Sequence, residues 1–169
     1  MLWPASPVRA TRAPPPAIAY RWVTTAGAIN EATLTLNECT DVKCKATKER
    51  TLAKGTLAGF CSAAAMYDHG DIVVTHGEGT KLVLSTCAKG AKDCVDTPVA
   101  GEDGTCRTLK LSGGNPVMAS GSASGVRVVR CKNKACTGPV SAVAIDATLL
   151  LGFLSRPDMA IQKNGNQLI

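Results

Sequence analysis

The spacing of eight cysteines constrains this 169-residue chain more than any other feature. "LNECTDVKCKA" sets Cys39 and Cys44 with four residues between them, and "VVRCKNKACTG" does the same for Cys131 and Cys136. "LSTCAKGAKDCVD" sets Cys87 and Cys94 with six between. The first cysteine of each pair recurs at 39, 87 and 131, a period of 48 and then 44 residues. Cys61 and Cys106 occupy matching places at the start of two units. Self-similarity at such a period marks a repeat architecture.

Each unit divides into short segments parted by turn residues. "CRTLKL" alternates apolar and polar, "SGGN" is a turn, and "PVMAS" suits a strand buried on both faces. "GSASG" is a second turn, "VRVVRC" a third strand, and "KNKA" a hairpin loop leading to a fourth segment. Helical periodicity is weak, and glycine-rich turns come too often for helices. Four short strands in 44 to 48 residues is the period of a β-propeller blade. The expectation is an all-β, propeller-like array of four-stranded antiparallel blades. A stack of β-meanders in a solenoid or sandwich is the alternative.

Gly114, Asn115, Pro116 and Val117, followed by Val126, Arg127, Val128, Val129, Arg130, Cys131 and Cys136, carry a resemblance. The pattern resembles the Cys-x4-Cys hairpin repeats of large secreted, propeller-like proteins, whose units read G-x-P-V followed by V-x-V-x-x-C-x4-C. Pro16, Ala17, Ile18, Ala19 and Tyr20 match its first part, and Lys81, Leu82, Val83, Leu84 and Cys87 its second. The resemblance covers about residues 16–163. It implies a propeller-like binding or structural module and brings no catalytic motif. The aromatic pair usual after Pro-Val is missing from the later units, and the last unit has no cysteine.

The phasing yields a Pro/Arg-rich, disordered leader over 1–15, a single β-repeat domain over 16–163 and a tail over 164–169. Within the domain, 16–55 is a partial blade, 56–100 and 101–140 are complete, and 141–163 is partial. Propellers need at least four blades to close. The chain is therefore read as a fragment of a closed propeller, with a half-ring completed by self-association and a degenerate four-blade assembly as alternatives.

Facing residues of antiparallel strands lie about 4.5–5.5 Å apart at Cα, within the disulfide window of about 4.4–6.8 Å. Cys131 is expected to close one strand and Cys136 to open the next, so the pair should form a staple. A six-residue ring stabilises by about 2 kcal/mol on the chain-entropy argument. Cys39 with Cys44 and Cys87 with Cys94 are expected to do the same. Cys61 and Cys106 either bridge adjacent units or stay as buried thiols. Zinc favours Cys-x2-Cys knuckles, and redox chemistry favours Cys-x-x-Cys at a helix start. Neither motif occurs.

"YDHGDIVVTHGEG" concentrates Asp68, His69, Asp71, His76 and Glu78. Such a group could suggest metal binding or acid–base work. The repeat aligns "DHGD" with "SGGN", a turn position that favours Asp, Gly and Asn for backbone reasons. His76 falls at the end of the second strand. If this unit has gained a site, His69 with Asp68 or Asp71 would hold it. No nucleophile elbow and no complete phosphate loop is present.

A net charge of +6 favours anionic partners. Lys43, Lys89, Lys92, Lys132 and Lys134 lie in the cysteine-closed hairpins, and Lys45, Lys48 and Arg50 follow nearby. A lysine face could meet an acidic polysaccharide or protein surface, although exposed hairpins also simply need soluble residues. Aromatic residues make up only 4%, which leaves little for nucleobase stacking. No apolar run reaches the length of a membrane span.

The even cysteine count points to an oxidising, extracellular or secretory location. The N-terminus, with Arg9, Arg12, Arg21 and many prolines, lacks a signal-peptide core. The function expected is a non-enzymatic extracellular binding or structural repeat module stabilised by hairpin disulfides, without cofactor. The alternatives are a propeller-scaffold enzyme or metal site around Asp68, His69 and Asp71, a non-functional fragment of a larger secreted repeat protein, and a cytosolic or organellar protein with reduced pairs.

Overall fold

The computed structural model describes residues 32–39, 45–55, 62–103, 107–122, 125–137, 141–145, 159–161 and 167–168. The leader at 1–15 and the repeat match at 16–20 lie outside the described residues, as do Lys43, Cys44, Cys61 and Cys106 and most of the tail.

Every described element is a strand. A hairpin of β1 (Ala32–Cys39) and β2 (Thr47–Gly55) comes first. A four-stranded meander follows from β3 (Ala63–Met66), β4 (Ile72–Glu78), β5 (Lys81–Cys87) and β6 (Val95–Asp103). A second meander contains β7 (Arg107–Ser112), β8 (Asn115–Ser122), β9 (Gly125–Arg130) and β10 (Ser141–Ile145). The short strands β11 (Ala160–Ile161) and β12 (Gln167–Leu168) form the last pair. All pairings are antiparallel. Among the described residues no helix is long and apolar enough to cross a membrane.

Turn chemistry sets the registers. Ser112 pairs with Asn115 across Gly113 and Gly114, whose φ values are 56° and 78°. Positive φ at both central positions defines the hairpin turn whose twist suits the flanking strands, and glycine adopts it without a Cβ clash. The "SGGN" turn thus locks Leu109 opposite Met118.

Strand alternation then sorts the side chains. From β4, Ile72 and Val74 go to one face and Val73 to the other. Val73, Leu82, Leu84 and Val99 pack against Leu109, Met118 and Val129 of the second meander. Ile72, Val74 and Cys87 pack against Leu34 and Leu36 of β1. Val117, Ala119, Val126 and Val128 receive Met159, just before β11, and the half-buried Ile161. Each meander is therefore apolar on both faces and covered on both.

This arrangement overturns the expected propeller. The meanders are open antiparallel sheets that neither curl nor close, and their strand ladders among the described residues run only within each sheet. Their faces stack through shared apolar layers. The all-β reading stands, while the blades of a ring, whole or fragmentary, do not.

A buried ionic cluster joins the two meanders. Glu102 of β6 accepts from Arg107 Nη2 of β7 at 2.8 Å and from Arg127 Nη2 of β9 at 2.9 Å. Arg107 Nη1 also donates to Ser120 Oγ at 3.2 Å. The Glu102 and Arg107 side chains are each 2% exposed, whereas Arg127 is 46% exposed. Removing one partner of a buried ion pair costs about 3–5 kcal/mol, while exposed pairs contribute about 0–1. Glu102→Ala should lower unfolding free energy in urea by about 3 kcal/mol or more. Arg127→Ala should cost about 1 kcal/mol or less. Equal losses would contradict this division of roles.

Candidate functional site

The disulfides organise one end of the meanders. Cys87 ends β5, and Thr86 pairs with Val95, so Cys94 arrives opposite Cys87 with Cα atoms 4.2 Å apart. Cys131 and Cys136 are also bridged, with Cα atoms 4.7 Å apart. Here the expected geometry needs correcting, because Cys136 does not open a strand. It sits within the loop at φ 56°, and β10 begins only at Ser141. The ring is closed inside the loop, where Cys136 N–H donates to Asn133 O at 3.1 Å and Thr137 N–H to Asn133 Oδ1 at 3.1 Å. The Cys39 backbone closes β1. The pairings expected of Cys39 with Cys44, and of Cys61 with Cys106, fall outside the described residues.

Both loops lean on the turn at 67–71. Lys89 N–H donates to Asp71 Oδ1 at 2.9 Å. A Cβ on Gly70 would lie 2.9 Å from Lys89 Cδ, so glycine makes the close approach possible. From the other loop, Lys134 Nζ lies 5.1 Å from the Tyr67 ring centroid, a cation–π distance. His69 stacks on the same Tyr67 at 5.4 Å and reaches Asp71 Oδ2 from Nε2 at 2.7 Å. The Lys89 backbone N–H holds the Asp71 carboxyl below its ordinary range, helped by His69 and Lys134 and opposed by desolvation. Burial pushes the Tyr67 phenol up, with the Asp71 charge adding to the effect.

The structure thus brings Lys89, Lys134, His69 and Asp71 together, two of them from the expected lysine face. Asp68 is exposed beside them, Lys132 extends from the second loop, and Lys92 turns to a different cleft.

The metal reading of Asp68, His69 and Asp71, and the enzyme reading built on a propeller centre, are corrected here. The imidazole and carboxylate are engaged with each other, and no group of three or more metal-capable side chains gathers among the described residues. The expected extracellular repeat module likewise loses its propeller scaffold, leaving an all-β domain with open sheets and disulfides.

A second polar constellation escaped the sequence reading. His76, placed there at a strand end, is buried within β4 and 2% exposed. His76 Nε2 lies 2.8 Å from Ser85 Oγ, and Ser85 Oγ donates to Asp96 Oδ1 at 2.5 Å. These residues match a hydrolase triad in type but not in order. The single hydroxyl hydrogen goes to Asp96, so Ser85 must accept from His76 Nε2–H. A catalytic serine needs the reverse, with histidine accepting its proton. Ser85 is fully buried. The row is a structural relay across three strands. The signal that could have revealed it was that His76 continues the alternate-residue series of Ile72 and Val74, and Ser85 that of Val83.

A cleft of about 530 Å³ opens between β2 and the Cys87–Cys94 loop. Lys48, Arg50, Leu52, Lys92, Asp93 and Asp96 line it, with Glu49, Thr51 and Cys94. Arg50 pairs with Glu38, and its Nη1 is 4.0 Å from Cys94 Sγ.

No family model, curated protein or solved structure compared with the chain matches it. The resemblance to secreted hairpin repeats rests on its residues alone.

Burial lowers the His76 pKa from its ordinary value, against smaller opposing effects of the Gly77 backbone and the charges of Asp96 and Glu78. The unfolded chain therefore takes up the His76 proton more readily. This contribution to stability is complete above the unfolded pKa of about 6.5 and is lost as pH falls through the folded value. Thermal denaturation should show a midpoint that drops between about pH 7 and 5. His76→Gln should flatten part of that drop. An unchanged slope in His76→Gln would assign the acid sensitivity to other groups.

Proposed function

We propose that the two disulfide loops recognise an acidic polysaccharide in an oxidising compartment. The observation that carries this reading is that the Lys89 backbone and the Lys134 ammonium, from loops of different sheets, both rest on the turn at 67–71. Each loop is closed by a covalent bond and anchored by its backbone. A preorganised cation loses less freedom when it binds than one on a free loop. Lys132 adds exposed positive charge in the same loop as Lys134. The excess of cations over the whole chain attracts a polyanion at longer range. The scarcity of aromatic side chains favours a polymer held by charge over a nucleic acid held by base stacking. The two disulfides support an oxidising location.

Retention on a sulfated polysaccharide column tests the reading. Lys89→Ala with Lys134→Ala should elute at lower salt and bind about tenfold more weakly, at up to about 1 kcal/mol per exposed ionic contact. Lys110→Ala, exposed on β7, should elute as the parent does. Reduction of the folded protein should also weaken retention. Equal elution of the double variant and the parent would overturn the proposal, and stronger retention on an acidic polypeptide would reassign the surface to a protein partner.

A further inference from the structure

The cleft beside β2 is separate from the lysine loops' meeting point, and its chemistry differs. Arg50 is the buried member of its lining, with a side chain 4% exposed. Its Nη2 is committed to Glu38. Among the described residues its Nη1 makes only the long contact to Cys94 sulfur, and its buried Nε–H has no acceptor. A buried guanidinium presents five donors in a fixed fork matched to a carboxylate. Leaving a buried donor unmet carries a desolvation cost that a bound acceptor would remove.

The rest of the lining decides which acceptor fits. Lys48, Arg50 and Lys92 are balanced by Glu38, Asp93 and Asp96, so the local sum is near zero. A sulfate or phosphate dianion would find no net attraction. A ligand carrying its own positive group would instead find carboxylates for it. The volume falls in the range of small-molecule sites, about 300–1,000 Å³. The geometry points to a site for a small zwitterion of the α-amino-acid class, its carboxylate at the unmet donors of Arg50 and its ammonium between Asp93 and Asp96.

The test is titration of the oxidised, full-length protein with a panel of free α-amino acids, followed through the Arg50 Nε–H resonance. The controls are the matching amino-acid amides, which lack the carboxylate, and sodium sulfate. At least one amino acid should shift that resonance saturably, with its amide binding at least about tenfold more weakly. Asp93→Asn, an exposed change, should weaken the same amino acid while the Arg50 resonance still reports. Arg50→Lys should abolish binding. Should that variant not fold, the parent resonance and Asp93→Asn decide the question. Absence of any saturable shift, equal binding of acid and amide, or preference for sulfate would each overturn the assignment.

Discussion

A four-stranded sheet with apolar side chains on both faces cannot stand alone in water. Burying a Val or Leu side chain contributes about 1.5–3 kcal/mol, so the faces set by Val73, Leu82 and Leu84 and by Ile72 and Val74 each demand a cover. The β1 and β2 hairpin supplies one cover and the second meander the other. The second meander has the same need on its far side, met by Met159 and Ile161. The layered order follows from this demand. It also explains why no pairing between sheets is required, since the layers are joined by side chains rather than by backbone hydrogen bonds.

Two rows of buried polar residues cross neighbouring strands within these apolar faces. His76, Ser85 and Asp96 cross β4, β5 and β6 on the face turned to the hairpin. Arg107, Ser120 and Arg127 cross β7, β8 and β9 and receive Glu102 from the other meander. Both rows follow from register. Arg107 stands opposite Ser120, and Ser120 opposite Arg127, so one face collects all three. The difference lies in direction. The first row stays within one sheet, whereas the second carries a buried carboxylate across a layer boundary and fixes how the two faces sit.

Much of the strand pattern was legible in the sequence. The "SGGN" turn, the alternation in "CRTLKL" and the two-faced "PVMAS" segment depend on neighbours a few residues away, and β7 and β8 lie where they indicate. Closure was not legible in the same way. Four strands per 44 to 48 residues describes a meander, and an open stack repeats it as faithfully as a ring does. The choice depends on which faces are apolar and what covers them, a long-range property that the period does not encode. The loops failed for a related reason. Cys87 and Cys94 follow the ladder because their loop returns directly to β6, but Cys136 sits in a loop whose ladder resumes at Ser141. The turn at 67–71 was legible as a turn. Its capture of Lys89 and Lys134 required two loops distant in sequence to meet there.

The cleft has its origin in a mismatch of strand number. Two strands, β1 and β2, lie over a face built from four. Leu34 and Leu36 cover Ile72, Val74 and Cys87 near the middle of that face. Among the described residues the cover thins toward β6, where Asp96 and the half-buried Cys94 begin the margin. An apolar margin there would be an exposed patch open to association. This chain instead places Lys48, Arg50, Lys92, Asp93 and Asp96 along it. β6 itself carries Pro98, which has no N–H to offer, and exposed residues on most of its length. The outer edge is thereby protected from pairing with another strand. The polar cleft and the blunted edge are thus two consequences of one geometric shortfall, and the buried end of Arg50 is where that margin reaches furthest into the apolar layer.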